Sequence, residues 1–279
     1  MTVQYVREAI IASGDMAASV RFHREAFDFE VLGEGDDGVL LGVAGTSAGH
    51  VRVVPAADSP DEPSAEAAAV WDRGGRLLGI YSHDLAATEA AMIAAGGEPR
   101  TPVTYPYGQA SLSELVGRGV DGIWWTIPLA VPGAHRPSAA YEASPERLHS
   151  ELHTAVLVVE DHDAAVNFFT AAGLDVLFDG TMSGSPFDEL VGIPADGALR
   201  LAFLVGPLQS AARLEIMSFT GVEAQDRTAS SVGMKRLVFV ATDVDQARNA
   251  MLEAGGEDLG DGVLRGPAGV EIELVEEQA

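Results

Sequence analysis

The chain of 279 residues contains no cysteine. This excludes disulfides, thiolate nucleophiles and cysteine-ligated zinc or iron–sulfur centres. Basic residues are scarce as well: 17 Lys and Arg stand against 42 Asp and Glu, a net charge of −25. A broad phosphate-binding surface is thereby excluded, because nucleic acid would be repelled over most of the molecule, and the acidic residues read as a solvated surface. There is no apolar run approaching the roughly 20 residues that span a bilayer, and no basic leader with an apolar core. The expectation is a soluble, cytoplasmic protein without membrane or nucleic-acid partners. With 47% apolar residues, there is ample material for two cores.

What is present is a plan repeated four times. In ELHTAVLVVEDHDAAVNFFTAAGLDVLF (Glu151–Phe178), the apolar, β-branched run Ala155–Val159 reads as a strand buried on both faces. Asp161 then caps a helix with Ala165, Phe168, Phe169 and Ala172 on one face, Gly173 stops it, and a strand Leu174–Phe178 follows. The separation from Asp161 to Gly173 recurs from Asp84 to Gly96 and from Asp243 to Gly255, each after an apolar strand. A fourth copy, nearest the N-terminus, keeps the strand Ala9–Ala12 and Asp15 but has Phe27 in place of the glycine. Four units in register indicate internal duplication.

Taken in order, the units run from about residue 5 to 55, 76 to 129, 149 to 219 and 234 to 277, each expected as β-α-β-β-β. Pro55–Ala67 reads as an exposed connector and 131–148, with three prolines, as a linker. The expectation is an α+β fold of two open, cupped mixed sheets: an N-terminal domain (1–130), scaffolding in role, and a C-terminal domain (149–279) carrying the site. Trp124 and Trp125 are adjacent in a strand and must face opposite sides of the sheet.

The strand–Asp–helix–Gly phrases AVLVVEDHDAAVNFFTAAGLDVLF and LVFVATDVDQARNAMLEAGG, with the closing phrases GPAGVEIELVEE and ARLEIMSF, resemble the vicinal oxygen chelate superfamily, which includes glyoxalase I, extradiol dioxygenases and bleomycin-resistance proteins. The resemblance covers essentially the whole chain, most clearly its second half. It implies paired units with a divalent metal inside the cup, held from the first and last strands. Carried over by counting, those stations are Glu8, Leu77 and Thr126 in the first half, with no ligand recognised in His50–Val54, and Thr154, Glu215, Arg236 and Glu273 in the second. Arginine has no lone pair to give a metal. Arg236 is therefore expected to replace the metal's charge between Glu215 and Glu273, either as part of a polar floor that serves chemistry or as a plain buried ion pair.

Two functions follow from that resemblance. One is an enzyme acting on a small aromatic or polyketide-like oxygenated compound, with Arg236 stabilising an enolate or phenolate and Glu215 or Glu273 moving a proton. The other is a metal-free protein that sequesters a small molecule. In both, Thr154, His153, Met217, Phe239 and Phe187 line the site and the loop Gly180–Phe187 serves as a lid. No cofactor is expected. The alternative is Fe, Mn, Zn or Ni on His153, Glu215 and Glu273, if a bulge turns His153 inward for glyoxalase or dioxygenase chemistry. The partner is a small molecule, and a homodimer is allowed.

Overall fold

The computed structural model describes residues 2–57, 68–107, 110–133 and 135–277. Unit one comprises β1 (Val3–Ser13), α1 (Met16–Phe27), β2 (Glu30–Gly35), β3 (Gly38–Gly42) and β4 (His50–Pro55). Unit two has β5 (Gly74–Gly79), α2 (Leu85–Ala94), β6 (Glu98–Pro99), β7 (Val103–Tyr107), β8 (Ala110–Arg118) and β9 (Trp124–Pro128). After the short helix α3 (Ala139–Ala143), unit three contains β10 (Thr154–Val158), α4 (His162–Ala171), β11 (Asp175–Ser183), α5 (Phe187–Val191), β12 (Ala198–Val205) and β13 (Arg213–Thr220). Unit four is β14 (Gly233–Ala241), α6 (Val244–Glu253), β15 (Glu257–Gly260), β16 (Val263–Arg265) and β17 (Glu271–Glu276). Most of the connector 55–67 lies outside the described residues.

The four expected caps are in place. The carboxylates of Asp15, Asp84, Asp161 and Asp243 each accept from a backbone N–H of the first helical turn. Such a cap stabilises by about 1 kcal/mol. Gly96, Gly173 and Gly255 adopt the left-handed backbone that ends the helix. In unit one the helix includes Phe27 as its last residue, and Asp28 (φ 56°) takes the left-handed position instead.

The sheets do not pair as the order of units suggests. β1 lies antiparallel to β14 (Ala9 opposite Leu237, Ile10 opposite Arg236), so units one and four form one cup. β5 lies antiparallel to β10 (Leu77 opposite Val156), so units two and three form the other. The expected division into halves, each with its own cupped sheet, is thereby corrected for the sheets. It survives in the helices, since α1 packs on α2 and α4 on α6.

Close approach fixes this second pairing. The ring of Phe22 on α1 sits where a Cβ on Gly97 or Gly119 of unit two would lie, 2.6 and 2.9 Å away. The ring of Phe168 on α4 covers Gly256 of unit four in the same way, at 3.0 Å. One continuous core results, with Phe22, Trp125, Phe169, Phe239 and Ile272 as members from all four units. Trp125 faces this core, and Trp124 faces the other way, its Nε1 donating to Ala68 O at 3.1 Å and its ring 5.0 Å from the Arg100 guanidinium.

Candidate functional sites in two unlike cups

Alternation along the first and last strands of each unit brings the counted stations to the concave faces. In the cup of units one and four they are Glu8, Arg236 and Glu273, and Arg52, which was not counted, joins them. The first carboxylate is bound by Arg52, with Nε 2.6 Å from Glu8 Oε1 and Nη1 2.7 Å from Asp37 Oδ2. On the quasi-symmetric side, Arg236 Nη1 is 3.0 Å from Glu273 and Nη2 is 2.7 Å from Glu271. The expected Arg236–Glu273 contact is therefore present. This second pair is hydrated, the side chains of Arg236, Glu271 and Glu273 being 32, 32 and 35% exposed, whereas Glu8 is buried beneath Arg52. The cup, about 710 Å³, is lined further by Arg7, Lys235 and Ser230.

The cup of units two and three is different in kind. It encloses a cavity of about 530 Å³ whose walls include Leu77, Val116, Phe178, Leu201, Phe203 and Met217. α5 closes one side with Phe187 and Leu190, and the segment after β9 closes another with Val131, His135 and Arg136. Two carboxylates reach into this apolar space. Glu215 is 4% exposed and its Oε1 is held by Arg213, with Nη2 at 2.6 Å and Nε at 2.8 Å. The Arg213 guanidinium lies 3.7 Å over the Phe203 ring, so part of its desolvation is offset by the aromatic face. Glu114 on β8 accepts the Tyr105 hydroxyl at 2.5 Å and the Thr126 hydroxyl. Burial, with Glu215 adding to it, pushes the Glu114 carboxyl above the ordinary range, against the opposing effect of the two hydroxyls.

The expected site residues divide between these places. Met217, Phe187 and Glu215 line the apolar cavity together. Arg236 and Glu273 belong to the ionic cup, so Arg236 does not meet Glu215 and the supposed three-residue charge cluster is not assembled. Phe239 faces the helices, fully buried, with its ring 5.9 Å from Phe169. Three residues from Arg236, it sits on the opposite face of β14. Thr154 is buried under the floor, its methyl filling the space above Gly79. His153 is not turned toward Glu215 and Glu273. It precedes β10, buried, and stacks on Tyr81 at 3.9 Å, where burial and the nearby Arg213 and Arg136 hold its pKa well below the usual histidine value. The lid is also corrected. Gly180–Ser183 is part of β11, paired from Gly180 opposite Leu201 to Ser183 opposite Ala198.

Counting missed Arg52, because no residue of His50–Val54 was assigned a station. It missed Glu114 and Tyr105, which occupy no counted station. A signal existed: Glu114 is a lone carboxylate between Leu112 and Val116, its same-face neighbours on β8.

Neither donor set fits the divalent metal that the resemblance implies. In one cup two guanidiniums already neutralise the carboxylates, and a cation would have to displace both. In the other, Leu77, Thr126 and Thr154 stand at three of four stations, and the remaining carboxylate is held by Arg213. Among the described residues no group of three or more His, Asp or Glu converges as a metal would need.

Residues 4–127 match the model of the Glyoxalase/Bleomycin resistance protein/Dioxygenase superfamily. Glyoxalase I from Zea mays is a structural neighbour at TM-score 0.67 and 16% identity, covering 99% of this chain and 93% of its own. A proposed dioxygenase from Bacillus subtilis aligns at TM-score 0.65 and 11% identity, covering 99% and 86%. At such identities the likeness establishes the fold. No curated protein matches the sequence. No described helix is long and apolar enough to cross a membrane.

Proposed function

We propose that the chain, whose residues 4–127 match the model of the Glyoxalase/Bleomycin resistance protein/Dioxygenase superfamily, binds a small, largely apolar, oxygen-bearing organic molecule in the cup of units two and three. The observation that carries this reading is the cavity of about 530 Å³, apolar in its walls with a few convergent polar groups on its floor. That volume and that balance are those of small-molecule sites. The ring faces of Tyr105, Phe178 and Phe203 suit a flat or aromatic ligand, and the Arg213–Glu215 pair with Glu114 gives its oxygen a fixed place to bind. Binding here draws on the protein's own donors and acceptors, without a resident metal.

A second reading is supported by Glu114 itself. A carboxyl whose pKa is raised and which lines a ligand cavity is suited to move a proton on a carbonyl compound, with Arg213 near the oxygen where negative charge develops. The two readings share one site, and turnover of a bound ketone would separate them.

Filling the cavity tests both. Met217→Trp enlarges a side chain that lines the cavity, and its melting temperature, measured alongside, shows that the fold is kept. Binding of 2-acetylnaphthalene, followed by fluorescence or calorimetry, should fall by more than tenfold. Unchanged binding in a folded Met217→Trp protein would place the ligand elsewhere.

A further inference from the structure

We propose that Glu114 stands in the cavity as a neutral carboxylic acid at physiological pH and is the hydrogen-bond donor that selects ligands with an uncharged carbonyl or quinone oxygen. The proposal rests on the cavity reading above and deepens it.

The geometry carries it. Glu114 is 7% exposed as a residue, and its side chain is directed from β8 into the apolar cavity. The groups that reach its oxygens are hydroxyls, Tyr105 from β7 and Thr126 from β9. A buried carboxylate is stable only when a cation or several strong donors compensate it. The charged groups facing Glu114 from the neighbouring elements are Glu215 and Arg213 on β13 and Arg136 from the segment after β9, with the Tyr105 phenol on β7; α5 contributes only apolar side chains, Phe187 and Leu190. Arg213 gives Nε and Nη2 to Glu215. Arg136 donates to the carbonyls of His153, Gln209 and Ala211. Arg213 acts on Glu114 only as a nearby charge that partly opposes burial, while its printed hydrogen bonds go to Glu215, and a second negative charge at Glu114 would face Glu215 across a low-dielectric space. Retaining the proton removes that repulsion. It also makes Glu114 a donor, and a donor in an apolar cavity discriminates for an acceptor oxygen.

Infrared difference spectroscopy tests the protonation without any ligand. At pH 7 the protein should show a carboxylic-acid C=O band that shifts in D2O and is missing in Glu114→Gln. Absence of that band in the parent overturns the proposal.

Ligand selection is then measured with 2-acetylnaphthalene, which has the acceptor oxygen, and naphthalene, which lacks it. Glu114→Gln keeps a donor and should bind the ketone as the parent does at pH 6, yet lose the parent's weakening at higher pH. Glu114→Leu should bind the ketone on the order of tenfold more weakly while holding naphthalene as before. Equal affinity of parent and Glu114→Leu for the ketone, with naphthalene bound, overturns the donor role but leaves the cavity reading standing. If neither naphthalene compound binds the parent, the cavity reading fails and the donor role with it.

Discussion

The two cups are built from the same unit and each carries arginine–glutamate pairs, yet they have become different materials. In the cup of units one and four, the Arg236–Glu273 pair is about one-third exposed and its carboxylates remain in contact with water. In the cup of units two and three, Arg213 and Glu215 make the same type of bond at 2.6 Å, with Glu215 only 4% exposed. The chemistry of the pair is constant, and desolvation is the variable. A hydrated pair is a weak cross-link, whereas a dry one must be complete because either partner alone is costly.

The largest effect should come from breaking both cups at once. Residues 1–130 and 149–279 expressed separately would each keep their helix pairing and the parallel partners β4, β9, β13 and β17, but would leave one edge of β1 and β5, or of β10 and β14, without its antiparallel partner. Each half is expected to aggregate or self-associate through those edges, and the two co-expressed should purify together. Size-exclusion chromatography decides it; two monomeric, folded halves would refute the cross-pairing of units.

Next in size is the dry pair. Arg213→Met leaves Glu215 buried without its cation and removes the contact with Phe203, so urea unfolding should show a loss of about 3 kcal/mol. The equivalent change in the wet cup, Arg236→Met, should cost less than about 1 kcal/mol, because the pair is screened by solvent. Equal losses in the two variants would mean that burial does not distinguish the cups.

A pH dependence sharpens the contrast further. His153, beside the dry cup, has its pKa depressed by burial first and then by Arg213 and Arg136. In the unfolded chain it takes up a proton near pH 6.5, while the folded protein does not, so the unfolded state binds more protons and stability falls as pH drops below that value. His153→Phe, which keeps the stack on Tyr81, should flatten this part of the melting temperature–pH curve. Glu114 acts on the other side. Its raised pKa stabilises the fold below the unfolded carboxylate pKa, and that contribution is lost as pH rises through the folded value. Glu114→Gln should therefore gain stability relative to the parent on going from pH 5 to pH 8, and a constant difference would contradict a raised pKa.

The smallest effect expected is that of salt. Raising NaCl from 0.05 to 0.5 M shortens the screening length from roughly 14 to 4 Å, which should erase most of what Arg236 contributes and leave the cost of Arg213→Met nearly unchanged. A strong salt effect on Arg213→Met would show that water reaches that pair.

Local features of the site were legible where one strand or one helix settles them. The four Asp caps were readable because a cap depends only on the next three residues. The Arg236–Glu273 contact followed from counting, since both lie on neighbouring strands of one unit. Strict alternation should also have removed Phe239 from the cavity, because its face is opposite to that of Arg236. Glu114 and Tyr105 meet across one hairpin, nine residues apart, but that they share a cavity with Arg213 and Glu215 was not legible, because β8 faces β13 across a cup and that contact joins residues about 100 positions apart in the chain.

The sequence by itself determined the unit, because strand, cap, helix and stop are fixed by hydrogen bonds and apolar periodicity within some thirty residues. It also determined the acidic surface and the lack of thiol chemistry, which are matters of composition. Which unit pairs with which was decided only in the tertiary structure. The first strands β1, β5, β10 and β14 are all largely apolar and all present edges able to pair, so no local rule distinguishes a neighbour in sequence from a distant one. The choice was made by the packing of α1 on α2 and α4 on α6 together with the antiparallel joins of β1 to β14 and β5 to β10. Those joins put two arginine–glutamate pairs, one of them a third exposed, in one cup and an apolar cavity with two buried carboxylates in the other.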